Sequence, residues 1–264
     1  MGAKTAVQLF TVSEFCNTPK DFATSIKKCS DIGFKAAQVS GVACLNGLKP
    51  DLSAPEAKKI LDDNDMQCII THRPWASLVD NLSYEIDFHK ALDCDYIAIG
   101  GVDQNMYEHT AQGYRQWLND ARPIIAKLKE NGIKFGHHNH AHEFQRTEFH
   151  GITLEDILIE EGGEDLLLEF DLYWIAHAGA SVTEYLNKGK GRVPVVHLKD
   201  KEIIELSNDT HMAPIGEGVM PWSEIIPACE AAGVQWYAIE QDVCRRDPFD
   251  CLQSSWDFLT SLGV

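Results

Sequence analysis

The chain has 264 residues, 44% hydrophobic and 24% charged, enough to bury a large core in one α/β domain or two small ones. It contains no run of about 18 apolar residues, which argues against a membrane-spanning helix and a membrane partner. A formal net charge of −17 argues against nucleic acid, whose phosphates need a Lys/Arg footprint.

The first residues run straight into a strand-like segment with no signal peptide, so the expected location is cytoplasmic unless a targeting segment has been removed. Eight cysteines (16, 29, 44, 68, 94, 229, 244 and 251) are scattered without a Cys-x-x-Cys pair and read as reduced core residues. A homo-oligomer is left open.

Ala6-Val7-Gln8-Leu9-Phe10 reads as a strand, and Thr18-Pro19 supplies the cap and first-turn proline of a helix that Gly33 closes. A second strand follows at 34–40, a capping box at Ser53-Ala54-Pro55-Glu56 opens a helix through Leu61, and a third strand over 67–71 ends at His72. Residues 80–92 read as a helix, and 95–101 as a strand finishing in a Gly-Gly turn. The next helix carries Tyr114, Trp117, Leu118, Ala121, Ile125 and Leu128 on one face, with Pro123 expected to kink or split it. Strand five, 133–137, delivers the cluster His137-His138-Asn139-His140-Ala141-His142-Glu143.

A helix near 152–161, a strand Leu166–Phe170 ending at Asp171, and a helical stretch to about 188 come next. Val193–Val196 then reads as a strand ending at His197. Ser223 is expected to cap a helix with Pro227 in its first turn, Trp236–Ile239 forms the last strand, ending at Glu240, and Asp247-Pro248 begins the closing helix. Eight strand–helix pairs in a chain of this length predict a single (β/α)8 TIM barrel spanning 1–264. An open doubly wound sheet would carry a Gly-x-Gly-x-x-Gly turn, which the sequence lacks.

In such a barrel the active site lies at the C-terminal ends of the strands. Four late strand ends carry Glu143, Asp171, His197 and Glu240, each about one βα unit, or one unit and a long loop, from the next. Three carboxylates and an imidazole suit one divalent metal ion, Mn²⁺, Mg²⁺ or Co²⁺, with Zn²⁺ also accommodated. Basic neighbours, Lys199 and Arg245-Arg246, would balance the negative charge. Other readings stand beside these. Glu169 shares a strand face with Asp171, which is preferred because it ends the run. Glu240 could pair with a cation inside the barrel. Trp75, Trp174 and Trp222 are either core or walls of a sugar site, and His137 and His142 are read as non-ligands.

The motifs Val7-Gln8-Leu9-Phe10, His138-Asn139-His140-Ala141-His142-Glu143-Phe144, Asp171-Leu172-Tyr173-Trp174, His197-Leu198-Lys199-Asp200, Gly216-Glu217-Gly218 with Trp222, and Glu240-Gln241-Asp242 run nearly end to end. In them the chain resembles the xylose isomerase-like TIM barrel family of sugar isomerases and epimerases, a superfamily that also holds inosose dehydratases and endonuclease IV. The resemblance implies that Glu143, Asp171, His197 and Glu240 hold the metal. The implied reaction is isomerisation or epimerisation of a keto-sugar or related polyol through an enediolate, with Glu143 and Glu240 moving the proton. His72, His140, Lys199, Trp174 and Arg246 are then candidate substrate contacts, and His138 supports the ligands from behind. Dehydration of an inosose-type cyclic polyol is the alternative. A DNA-repair hydrolase is disfavoured by the acidic charge, and a sugar-binding barrel without turnover remains a separate class. Loops 41–52, 73–80, 101–110 and 201–218 are expected to select the substrate.

Overall fold

Short segments buried along their whole length, such as Ala36–Val39, Tyr96–Ile99 and Val195–Leu198, can pair only inside a sheet covered on both faces. The computed structural model describes residues 4–147, 151–204 and 210–264. In chain order the strands are β1 (Lys4–Gln8), β2 (Ala36–Val39), β3 (Gln67–His72), β4 (Tyr96–Ile99), β5 (Lys134–His138), β6 (Leu166–Asp171), β7 (Val195–Leu198), β8 (Asp200–Ile203), β9 (Thr210–Ala213) and β10 (Trp236–Ile239). Eight of them close a parallel barrel in the order β1-β10-β7-β6-β5-β4-β3-β2, and β8 and β9 form a separate antiparallel hairpin. The closing seam is the β1–β10 pair, in register from Lys4↔Trp236 to Val7↔Ile239.

The helices are α1 (Pro19–Ile32), α2 (Ala54–Asp63), α3 (Trp75–Asp80), α4 (Leu82–Leu92), α5 (Ala111–Glu130), α6 (Leu154–Glu161), α7 (Leu172–His177), α8 (Val182–Lys188), α9 (Trp222–Ala232) and α10 (Pro248–Ser261). Among the described residues no helix is long and apolar enough to cross a membrane. Thr18 caps α1 by accepting from the Asp21 N–H, and Gly33 ends it at φ 131°, where a side chain would also strike the Trp256 ring of α10. The last helix thus packs on the first and completes the outer ring.

Ile70, Tyr96, Ala98, Val195 and Ala238 pack together as a cluster of their own, with Gly136 facing Tyr96. The sheet is therefore a filled core rather than a pore. A register shift in the β2–β3 pairing after Ala37 sets Gln38 opposite Ile70. All eight cysteines are free, and seven are buried.

Several local expectations are corrected. Leu9 and Phe10 leave the first strand and begin a 3-10 turn, because the Gln8 side chain accepts from the Phe10 N–H. Residues 75–80 form a helix of their own ahead of α4, and the stretch to 188 is two helices, α7 and α8. Pro123 does not split α5, which runs unbroken over 20 residues. The buried face from Tyr114 to Leu128 lies on both sides of the proline and outweighs one lost helix bond. Helix α9 starts at Trp222 with Pro221 in the cap position, so Ser223 is not the cap and Pro227 stands inside the helix. The hairpin β8–β9 occupies much of what was read as loop 201–218, of which 205–209 lie outside the described residues.

Candidate metal centre

Asp171 and Glu240 are each tied by one oxygen and present the other. Asp171, at the end of β6, accepts the Trp174 N–H on Oδ1 at 3.0 Å and so caps α7, which leaves Oδ2 to face the site. Glu240, just past β10, accepts the Gln8 amide on Oε1 at 2.6 Å across the closing seam, which leaves Oε2. His197 on β7 turns Nδ1 toward both, 2.7 Å from Glu240 Oε2 and 3.8 Å from Asp171 Oδ2. Asn139 fixes the neighbouring strand end by accepting the Asp171 N–H at 3.0 Å.

These three presented atoms are buried, lie within 4.8 Å of one another, and make no aligned hydrogen bond. Two carboxylates and an imidazole that converge in this way, with one another and the Lys199 ammonium as their close neighbours, are a donor set that fits a divalent cation. The charge agrees. Lys199 stands 2.8 Å from Asp171 Oδ2, 2.8 Å from Glu240 Oε2 and 2.6 Å from Asp242 Oδ1. Three carboxylates against one ammonium leave two negative charges, which one divalent ion neutralises.

The titration of the cluster has the same cause. Burial pushes the Asp171 carboxyl up to about 6 despite the pull of Lys199 and His197. Burial works against Glu240 as well, but Lys199 and His197 hold it well below the usual range. Burial alone would lower His197, and the Glu169 and Glu240 carboxylates instead raise it to about 10. Binding of a cation at Nδ1 must therefore displace a proton.

Asp171, His197 and Glu240 are thus brought together as expected, whereas Glu143 forms a neighbouring group with His140 and His142. Both of its oxygens are engaged: Oε2 accepts the His140 N–H at 2.8 Å, and Oε1 lies 2.9 Å from His142 Nε2 and 3.3 Å from the Tyr114 hydroxyl. Against the effect of burial, His142, His137 and the His140 N–H hold Glu143 down to about 2. His138, which ends β5 inside the barrel, stands 4.0 Å from Asp171 Oδ2 and 3.9 Å from Glu169 Oε2. His137, one residue earlier, faces outward onto Trp117, as the two-residue strand period requires.

The two groups share one mouth. A cavity of about 530 Å³ there is lined by Gly100, Gly101, His140, His142 and Trp174. His140 Nδ1 and the Trp174 indole N–H are buried without partners beside it, so both are available to a ligand's hydroxyls. His72 lies deeper, with Nε2 2.5 Å from Glu169 Oε2. Lys199 is held by three carboxylates rather than turned to a ligand, and Arg246 pairs with Glu217 at 2.5 Å on the exposed side. Trp75 and Trp222 are core: the first donates to Tyr107, and the second donates to Asp200 at 2.7 Å. Asp200 also takes the N–H groups of Lys201, Gly216 and Met220, which anchors the hairpin and the turn after it.

Gln8, Gln38, Asn139 and Asp242 did not figure among the site residues expected from sequence. The one signal for the two glutamines is a polar residue inside an apolar strand.

Residues 26–250 match the family model described as a xylose isomerase-like TIM barrel. No curated protein matches the chain. Among solved structures, a sugar phosphate isomerase/epimerase from Parabacteroides distasonis superposes with a TM-score of 0.80 at 16% identity, covering 99% of this chain and 94% of that one. A probable 3-DHS dehydratase involved in petrobactin synthesis from Bacillus anthracis gives 0.75 at 14% identity, covering 97% and 98%. An L-ribulose 3-epimerase gives 0.69 at 13%, covering 98% and 94%. At these identities the likeness is one of fold.

Proposed function

The chain belongs to the xylose isomerase-like TIM barrel family, and on that premise we propose that it is a divalent-metal-dependent sugar isomerase or epimerase acting on a keto-sugar or related polyol. The observation that carries this reading is the buried convergence of Asp171 Oδ2, His197 Nδ1 and Glu240 Oε2 on one point, beside a cavity with free polar groups.

Asp171, His197 and Glu240 would hold the ion, Mn²⁺, Mg²⁺ or Co²⁺ by donor type, with Zn²⁺ tolerated. When bound, the ion supplies a Lewis acid that polarises a carbonyl. Glu240, with Oε2 at the centre of the site, takes the proton from the carbon next to that carbonyl and generates an enediolate. Glu143, from the group of His140 and His142 on the same mouth, is the partner carboxylate for the return: it would take up a proton from solvent and deliver it to the enediolate, while Glu240 releases its own proton to solvent. His140 and Trp174 bind hydroxyls through Nδ1 and the indole N–H. Lys199 and His197 keep Glu240 ionised, which leaves it able to accept a proton but lowers its basicity. The acidic chain and the small cavity favour a small molecule over nucleic acid, and eight free thiols favour a cytoplasmic setting.

The test is exchange of carbon-bound hydrogen with D₂O in a panel of ketoses and inososes with Mn²⁺ present. Isomerisation or epimerisation keeps the substrate's mass, whereas the dehydratase reading predicts loss of one water. Full turnover in Glu240→Gln with metal retained would remove the role given to Glu240.

A further inference from the structure

His197 is gripped from both sides, and the two grips differ in kind. Nδ1 faces Glu240 and Asp171 at the mouth, while Nε2 faces down into the barrel, 3.0 Å from Glu169 Oε1 and 2.8 Å from the amide oxygen of Gln38. A carboxylate oxygen and an amide oxygen can only accept, so Nε2 must carry a hydrogen. In a neutral ring that leaves the lone pair on Nδ1, pointed at the metal centre.

Glu169 sits one strand period below Asp171 on β6, so it shares that residue's inward face, and it is fully buried. Neither of its oxygens is free. Oε1 takes His197, and Oε2 lies 2.5 Å from His72 Nε2 and 3.9 Å from His138 Nδ1. His138 lies between the same two carboxylates at longer range, with Asp171 Oδ2 4.0 Å from its Nε2, and makes no hydrogen bond to Glu169.

The geometry points to Glu169 as a positioning residue that fixes the tautomer of His197, so that the Nδ1 lone pair faces the cation site. It supports the centre from below and is not itself a ligand. This inference rests on the metal-centre reading of the same site. Outer carboxylates of this kind typically change metal affinity 10–100-fold when lost. The isosteric change to Gln is the sharp one: an amide NH₂ would replace one acceptor and face a ring N–H. Relief requires a ring to exchange its tautomer, and for His197 that would put hydrogen on the ligating atom.

The experiment combines calorimetric Zn²⁺ titration with ¹⁵N-histidine NMR of the Zn²⁺-loaded full chain. In the unmutated protein one Zn²⁺ binds per chain, and His197 shows hydrogen on Nε2 and none on Nδ1. Glu169→Gln weakens Zn²⁺ binding about 10–100-fold, while Glu169→Asp, which keeps two acceptors, restores part of it. Unchanged affinity in a folded Glu169→Gln variant overturns the inference, as does a second Zn²⁺ per chain that is lost with Glu169. The NMR measurement needs no variant, so hydrogen on Nδ1 with Nε2 bound to the metal overturns it even if Glu169→Gln does not fold. If the unmutated chain takes up no divalent metal, the metal-centre reading falls and this inference falls with it. If metal binds and Glu169→Gln is indifferent, only this inference falls.

Discussion

Gln8 and Glu240 lie 232 positions apart in the chain and 2.6 Å apart in the barrel, where the amide of the first strand donates to the carboxylate at the end of the last. One hydrogen bond therefore closes the seam and aims Glu240 Oε2 into the site. Gln8→Leu removes it and leaves a buried carboxylate oxygen without its donor, a loss of roughly 1.5–3 kcal/mol. The variant should unfold at lower denaturant concentration and bind Mn²⁺ more weakly by calorimetry. A stability loss with unchanged metal affinity would limit Gln8 to the seam.

Lys199 is the sole ammonium among Asp171, Glu240 and Asp242 in the contacts described. Lys199→Met leaves those carboxylates uncompensated, and breaking a buried pair in this way costs about 3–5 kcal/mol. The loss should be largest in EDTA and partly recovered by Mn²⁺, because a divalent cation restores the same charge. Melting curves with and without metal decide this; equal losses in both conditions would speak against a shared electrostatic role.

His89 gives a pH dependence remote from the site. Its Nδ1 donates to the Glu85 carbonyl at 2.6 Å, so Nε2 accepts the Thr71 hydroxyl at 2.6 Å, and the neutral ring is fully satisfied. Burial lowers its pKa from 6.5 to about 4. The unfolded chain therefore binds the extra proton first: stability from this group is whole above pH 6.5 and declines as pH falls toward 4, by roughly 3 kcal/mol in all. Urea unfolding of wild type and His89→Gln between pH 7 and 4 should show a shallower decline in the variant. Parallel declines would assign the effect elsewhere.

Gly136 lies on the inward face of β5, where a Cβ would stand 2.4 Å from the Tyr96 hydroxyl oxygen. Gly136→Ala should overpack the barrel interior and cost about 1–3 kcal/mol. In a chain of this size that lowers the melting temperature by about 2–4 °C per kcal/mol. An unchanged melting temperature would mean that Tyr96 can move aside.

The barrel was legible because each strand is a short apolar run and each helix an apolar stripe with a cap, and these are local properties of the residues. Asp171, His197 and Glu240 were legible for the same reason: each is the polar residue that ends a mainly apolar strand, and a closed barrel sends such ends to one mouth. Glu143 follows a strand end by several residues, and the turn of those residues depends on hydrogen bonds to His140 and Tyr114 that no local pattern encodes.

The same limit explains Gln8, Gln38 and Glu169. Strand period placed Glu169 on the face of Asp171, whereas the two glutamines carry no local signal beyond being polar residues in apolar strands. Which atoms they hold was decided by barrel closure, which sets β1 beside β10 and brings Gln38 and Glu169 to His197 across the interior. A buried polar group must find a partner, but the fold determines which one is within reach. Residue type and order determined the barrel and which polar residues stand at its strand ends, whereas only the tertiary structure decided how each of those side chains is turned and which carboxylate stands apart.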